Sequence, residues 1–152
     1  MEETHAWDKQ LDLGDEALDR EHHLQIALVS ALADAMEQGR PWVARQVSEQ
    51  LAGFSAAHFA GEELLMETAR YDQRQAHAEE HRSLVAAIEE IRSLLGSGER
   101  DLALAMALDL RTALGGHMAA SDRRFAEHEN ALRARGGVPS AVPGGSRRIT
   151  DS

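Results

Sequence analysis

The stretch HFAGEELLM, residues 58–66, places two ionisable side chains on the apolar face of a predicted helix. At 3.6 residues per turn, His58 and Glu62 lie one turn apart on that face. The apolar stripe around them consists of Val47, Leu51, Phe54 and Leu65. Burial of an unpaired carboxylate beside an imidazole is strongly unfavourable. The stretch therefore requires compensating groups on neighbouring helices.

Length and composition restrict the kind of protein. The 152 residues favour one domain, and the lack of cysteine excludes disulfides, Fe–S clusters, thiolate zinc sites and covalently attached haem. No uncharged run approaches the ~20 residues of a membrane span. The acidic N-terminus does not resemble a signal peptide, so we expect a cytoplasmic protein. The net charge is −10, and residues 134–152 carry +2, which leaves −12 for 1–133. This acidic body should repel nucleic acid and anionic membranes.

Helical periodicity is strong in four segments, and strand patterns are nearly absent. The predicted helices run from about Asp15 to Gln38, Trp42 to Ala69, Gln73 to Leu95 and Asp101 to Leu132. Short connections between long helices favour antiparallel neighbours, which predicts an all-α, up-down-up-down four-helix bundle over residues 1–133. We expect the region before Asp15, with Trp7 and Leu11, to form an arm packed on the bundle. Residues 134–152, rich in Gly, Pro and Ser, are predicted to be a flexible tail.

Further polar residues fall on inward helix faces, at matching distances from the turns. These are His22, His77, His81, His117 and Asp122. His22 and His58 each lie 18 residues from the first turn, near residue 40. His77 and His117 each lie 20 residues from the third turn, near residue 97. At a rise of about 1.5 Å per residue, all seven groups should meet in one layer of the bundle.

Five imidazoles and two carboxylates in one dry layer have few stable arrangements without a metal. A pair of cations bridged by the carboxylates removes the difficulty. Nitrogen-rich ligation suits iron, zinc, copper or nickel better than magnesium or calcium. One spacing is irregular, since His117 and Asp122 differ by five positions, or about 140° on a regular helix. Either Asp122 reaches in from the flank, or a local π-turn at 115–122 redirects it, eased by Gly115 and Gly116.

These residues together resemble the hemerythrin family, including the bacterial hemerythrin-like domains, over about residues 7–126. The motifs are Trp7, Gly14-Asp15, LDREH ending at His22, HFAGEELLM followed by Tyr71, His77-x-x-x-His81, and His117-x-x-x-x-Asp122. The resemblance implies a non-haem centre of two iron ions joined by an oxo or hydroxo bridge. One iron would take His77, His81 and His117; the other would take His22 and His58; Glu62 and Asp122 would bridge both. The iron on the His22 side would then keep an open position for dioxygen or another small diatomic ligand.

Two positions depart from the family pattern around the expected ligand pocket. Ala113 stands where a Trp is common, and Gln25 stands where an aliphatic residue often lies. Either these changes enlarge the pocket and admit water, or they leave the pocket unaffected. The second alternative holds if Gln25 faces a neighbouring helix and another side chain fills the space at Ala113. The expected pocket residues are Gln25, Phe59, Ala113, Leu114 and Met118.

Three functions remain open: reversible dioxygen binding for transport, storage or sensing; a redox enzyme acting on peroxide or nitric oxide; and a regulatory or iron-buffering module. Reversible binding is the leading hypothesis. The histidine-rich set lacks the inward Glu-x-x-His pairs of ferritin-like di-iron proteins. Glu63 and Asp19 are candidate acceptors for ligand imidazole N–H groups, and His5, His23 and His128 are expected at the surface. The electron donor and the oligomeric state do not follow from the sequence.

Overall fold

The computed structural model describes residues 8–136, which form a bundle of antiparallel helices. The helices are α1 (Glu16–Glu37), α2 (Pro41–Thr68), α3 (Arg74–Gly96), α4 (Arg100–His117) and α5 (Arg123–Ala134). A π-helical segment, Met118–Asp122, joins α4 to α5, so that these three pieces form the fourth rod. A short 3-10 turn, Lys9–Leu11, precedes α1. Among the described residues, no helix is long and apolar enough to cross a membrane.

The turns between the rods follow from their sequences. Gly39 adopts a φ of +67°, in the left-handed region that favours glycine, and Pro41 begins α2 at the position where a missing N–H is tolerated. Gly98 has a φ of +80° between α3 and α4. These short turns make successive rods antiparallel. The fourth rod also packs against α1, which closes the four-helix bundle and confirms the predicted fold.

The largest apolar core fills the half of the bundle next to the first and third turns. Its fully buried members include Val29, Leu32, Leu51, Ile88, Ile91 and Leu110. Burying each such side chain contributes about 1.5–3 kcal/mol relative to its exposure. A smaller cluster of Met66, Tyr71 and Phe125 lies at the other end. The seven polar residues lie between these two clusters along the helices, so they are enclosed from both ends.

The described part of the arm packs on the bundle as expected. Leu11 is partly buried against the core, and the Arg123 guanidinium on α5 donates to the backbone carbonyl of Gln10. Trp7 and His5 lie outside the described residues. The tail from residue 137 onward also lies outside them, so the domain boundary at 133/134 stays a prediction.

Candidate metal centre

All seven predicted metal-ligating residues meet in the interior, each no more than 6% exposed. They come from all four rods: His22 from α1, His58 and Glu62 from α2, His77 and His81 from α3, His117 from the end of α4, and Asp122 from the π segment. Each of these side chains lies on the helix face that the sequence periodicity predicts to be inward. The bundle therefore brings together side chains that lie up to one hundred positions apart in the chain.

The donor atoms form two groups that share one residue. Five residues each offer an atom within 4.8 Å of the others: Glu62, His77, His81, His117 and Asp122. A second such group contains His22, His58 and Glu62. Asp122 also reaches both sides, since its Oδ1 lies 3.1 Å from His117 Nε2 and its Oδ2 lies 3.1 Å from His22 Nε2. In Glu62 and in Asp122, therefore, one carboxylate oxygen faces the first histidine group and the other oxygen faces the second.

The spacing of these atoms fits a metal centre. The Nε2 atoms of His81 and His117 lie 3.1 Å apart, and Asp122 Oδ1 lies 3.0 Å from His77 Nε2. Ligands about 2.1 Å from a metal and at right angles to one another lie about 3 Å apart. Three buried atoms at the centre make no hydrogen bond: His22 Nε2, Glu62 Oε2 and Asp122 Oδ1. Buried polar atoms normally have partners, so this donor set fits bound cations.

The π segment directs Asp122 into the centre. Two side chains five positions apart on a regular α-helix diverge by about 140°. The wider π turn over Met118–Asp122 reduces that divergence, and both His117 and Asp122 are buried. The predicted irregularity at 115–122 is confirmed.

Outer carboxylates hold three of the imidazoles in place. His58 Nδ1 donates to Glu21 over 3.1 Å, and His81 Nδ1 donates to Glu63 over 2.9 Å. Because a carboxylate only accepts, each Nδ1 carries the hydrogen and each Nε2 directs its lone pair toward the centre. Glu63 was among the predicted acceptors.

The third outer carboxylate is Glu80, which accepts from His117 Nδ1 over 3.0 Å and from the Ser121 hydroxyl over 2.6 Å. Sequence reasoning missed Glu21 and Glu80. Both pair with a histidine on a different rod, which no local spacing indicates. The alternative candidate, Asp19, instead accepts from the backbone N–H groups of Leu13 and Gly14 and closes the loop before α1.

Electrostatics keep the two central carboxylates ionised. Burial opposes the ionisation of Glu62, but the imidazoles of His117, His77 and His81 outweigh it and lower the pKa of Glu62 to about 2. Burial likewise opposes the ionisation of Asp122, and His117, His22 and His77 hold its pKa well below 3.8. In the metal-free protein, burial lowers the pKa of His117, and the carboxylates of Asp122 and Glu62 reverse this and raise it to about 10. Both carboxylates are thus ionised and able to bind cations, which would replace the proton on His117.

Four of the five predicted pocket residues are buried next to the centre. The Phe59 ring stacks on the His81 ring with centroids 4.1 Å apart, and Leu114 and Met118 are fully buried. Gln25 is 1% exposed and donates from Nε2 to Ser55 Oγ over 2.9 Å. Its amide thus faces a neighbouring helix, as one of the two alternatives expects.

Ala113 does not lie in the interior pocket, which corrects its assignment. It is exposed and lines a surface groove of about 250 Å³ together with Gly116 and Ala120. The small side chain therefore leaves open space outside His117, whose own exposure is only 6%. His117 itself also lines this groove.

The remaining described histidines lie away from the centre. The His23 side chain is 44% exposed and pairs with Asp12, as expected for a surface residue. His128 was expected at the surface but is half-buried, because its ring packs on Tyr71 and its Nε2 donates to the Ala69 carbonyl over 3.2 Å. His128 therefore links α5 to the end of α2.

Comparisons with known proteins agree with this geometry. A family model described as the hemerythrin HHE cation binding domain matches residues 13–128. The chain is 33% identical over 95 residues to the bacteriohemerythrin of Pseudomonas paraeruginosa, an alignment that covers 62% of this chain and 61% of that relative. It is 26% identical over 126 residues to the bacteriohemerythrin of Stenotrophomonas maltophilia, covering 83% and 82% of the two chains. A third bacteriohemerythrin, from Ralstonia nicotianae, is 30% identical over 119 residues, or 77% and 82%. The chain thus spans about 61% of the length of the Pseudomonas relative.

Proposed function

The chain belongs to the hemerythrin family, and on that premise we propose that it is a non-haem di-iron protein that binds dioxygen reversibly. The observation that carries the proposal is the shared position of Glu62 and Asp122. Each extends carboxylate oxygens toward two separate groups of histidines, as ligands that bridge two cations do.

The residues would divide between two iron ions. One ion would be held by His77, His81 and His117, the other by His22 and His58, with Glu62 and Asp122 contributing to both. The first group then offers one more nitrogen than the second, which leaves the His22 side with fewer protein ligands. Iron bound there supplies redox chemistry and a coordination position for a small diatomic molecule.

The surrounding side chains favour binding over further reaction. Phe59, Leu114 and Met118 exclude water from the centre because they are apolar and buried. Among the described residues, the buried titratable groups at the centre are the ligands themselves. The outer carboxylates Glu21, Glu63 and Glu80 accept hydrogen bonds from ligand imidazoles and so act as acceptors, not as proton donors. A dry site without a proton donor favours release of dioxygen over its reduction.

Metal analysis and optical spectroscopy test this function. The purified protein, loaded with ferrous iron without air, should contain two iron ions per chain. Exposure to dioxygen should produce a charge-transfer absorption band that persists for minutes and disappears under vacuum. An iron content of one or none would contradict the di-iron centre. Oxidation to the ferric form within seconds would contradict reversible binding.

A redox enzyme is the second candidate, and the buried Gln25–Ser55 pair favours it. These groups add polar atoms to the otherwise apolar side chains that surround the centre, and polar groups help reduced products to leave. The enzyme hypothesis predicts multiple turnovers of hydrogen peroxide or nitric oxide when an electron donor is supplied. A single stoichiometric reaction would exclude it.

A further inference from the structure

A polar pair bridges α1 and α2 inside the bundle, away from any surface. Gln25 Nε2 donates to Ser55 Oγ over 2.9 Å, and the two residues are 1% and 0% exposed. Burying an amide and a hydroxyl in an apolar interior is unfavourable unless both are used. Apolar side chains at these two positions would stabilise the core at least as well, so stability alone does not account for the polar pair.

The position of the pair relates it to one side of the metal centre. Gln25 follows His22 by three residues on α1, and Ser55 precedes His58 by three residues on α2. Residues three apart on a helix lie on the same face. His22 and His58 are themselves neighbours, with ring centroids 5.0 Å apart. Because Gln25 and Ser55 are each three residues from one of these histidines, they form the adjacent layer of the bundle. The same two helices supply both the pair and the histidine group with fewer protein ligands.

The pair retains hydrogen-bonding capacity after its own contact is made. The Gln25 amide nitrogen carries two hydrogens, and Ser55 accepts one of them. On the side away from the centre the next layer contains Val29 and Leu51, both fully buried and without a polar side-chain atom. Of these two neighbouring layers, the one that contains His22 and His58 is the one with polar side-chain atoms for the second amide hydrogen.

We infer that Gln25, oriented by Ser55, donates a hydrogen bond to the small ligand that occupies the centre on the His22 side. This inference rests on the proposed function. The hydrogen bond from Gln25 makes the site selective for ligands whose outer atom accepts a hydrogen bond, such as dioxygen or a small linear anion. Gln25 is thus a specificity-determining residue, and Ser55 is a positioning residue that acts through it.

Azide is a suitable probe, because it binds ferric iron and its terminal nitrogen accepts hydrogen bonds. The test uses the full chain loaded with iron and oxidised, with azide affinity and the asymmetric stretch of bound azide as readouts. Gln25→Leu should weaken azide binding by about 10-fold, the effect of losing one hydrogen bond to a charged group. In the wild type, the stretch should shift when water is replaced by D₂O, and in Gln25→Leu this shift should disappear.

Ser55→Ala should reduce the affinity by a smaller factor, since Gln25 loses the acceptor that orients it. Ser48→Ala is the matched control: Ser48 is also buried on α2, seven residues earlier, and donates to the Arg45 carbonyl over 2.7 Å. It should leave affinity and stretch unchanged. If Gln25→Leu does not fold, Gln25→Met removes the same donor with an unbranched side chain.

The outcomes separate this inference from the proposed function. A wild type that binds two iron ions and azide, with unchanged affinity and unchanged D₂O shift in Gln25→Leu and Ser55→Ala, would overturn the inference alone. Reduced thermal stability without any change in azide binding would also overturn it, because the pair would then only join two helices. A wild type that binds no iron would overturn the proposed function together with it.

Discussion

Glu62 and Asp122 approach the same nitrogen from different rods: Glu62 Oε1 lies 2.5 Å and Asp122 Oδ1 lies 3.0 Å from His77 Nε2. Each carboxylate extends its second oxygen toward His22, whose Nε2 lies 4.0 Å from Glu62 Oε2 and 3.1 Å from Asp122 Oδ2. Two anions in this arrangement would repel one another without cations between them. Under the proposed function, occupation of the centre by two metal ions depends most directly on these two carboxylates.

Replacing Asp122 by Asn should lower the iron content from two ions per chain to one or fewer. The amide retains the shape but loses the negative charge and one of the two bridging oxygens. Plasma emission spectroscopy on protein loaded without air measures the content. Glu67→Gln, an exposed carboxylate on α2, is the control and should keep two ions. Full iron content in Asp122→Asn would argue against its bridging role.

Glu80→Gln should weaken iron binding by about 10-fold or more, as loss of an outer hydrogen-bond partner of a metal-binding histidine commonly does. The carboxylate holds His117 Nδ1 and is itself held by Ser121. The adjacent residue offers the control, because Glu79 is exposed and pairs only with Arg82 among the described contacts. Competition with a chelator measures both affinities. Equal losses in Glu79→Gln and Glu80→Gln would indicate a general charge effect instead.

The metal-free protein should be most stable between about pH 4.5 and 6.5. The pKa of His117 rises from 6.5 unfolded to about 10 folded, so its contribution is complete below pH 6.5 and disappears as the pH increases toward 10. The pKa of Glu62 falls from 4.5 to about 2, so its contribution is complete above pH 4.5 and disappears as the pH decreases toward 2.

Urea unfolding at several pH values measures this profile. Iron replaces the proton on the His117 nitrogen, so the iron-loaded protein should not lose stability between pH 6.5 and 9. In the metal-free His117→Gln variant the alkaline decrease should become smaller. A metal-free wild type whose free energy of unfolding is constant from pH 6.5 to 9 would refute the prediction.

The same substitution, Gly to Ala, should have opposite effects at two positions. Gly53 lies inside α2 with no atom within 4 Å of an added Cβ, so Gly53→Ala should increase the free energy of unfolding by about 0.5–1 kcal/mol. Gly98 has a φ of +80°, which L-residues rarely adopt, so Gly98→Ala should decrease it by about 1 kcal/mol or more. Urea midpoints of the iron-loaded proteins measure both, and changes of the same sign would contradict this account of the turn.

Much of the centre is predictable because helices have a constant rise and a constant turn per residue. Counting from the glycines and proline at the turns places His22 beside His58, and the rings do lie 5.0 Å apart. The five-residue spacing of His117 and Asp122 predicts a distortion, and a π segment occupies Met118–Asp122. These inferences need only positions along one helix and the length of the connections.

Predictions that depend on how far each helix rotates about its own axis are less successful. Ala113 was expected in the interior pocket and is exposed, and Asp19, a candidate acceptor for a ligand imidazole, instead closes a loop. His128 was assigned to the surface and packs on Tyr71. A side chain at the edge of an apolar stripe turns inward or outward with a small rotation, and only packing against the other helices decides which.

The sequence by itself determined four rods, their antiparallel order and the height at which five imidazoles and two carboxylates meet, because periodicity and chain breakers are local properties. Only the tertiary structure decided which carboxylate supports which imidazole, with Glu21 on His58 and Glu80 on His117, and that Gln25 pairs with Ser55. Each of these contacts joins two different rods. Such contacts depend on the relative rotation and separation of whole helices, which the packing of the complete core sets.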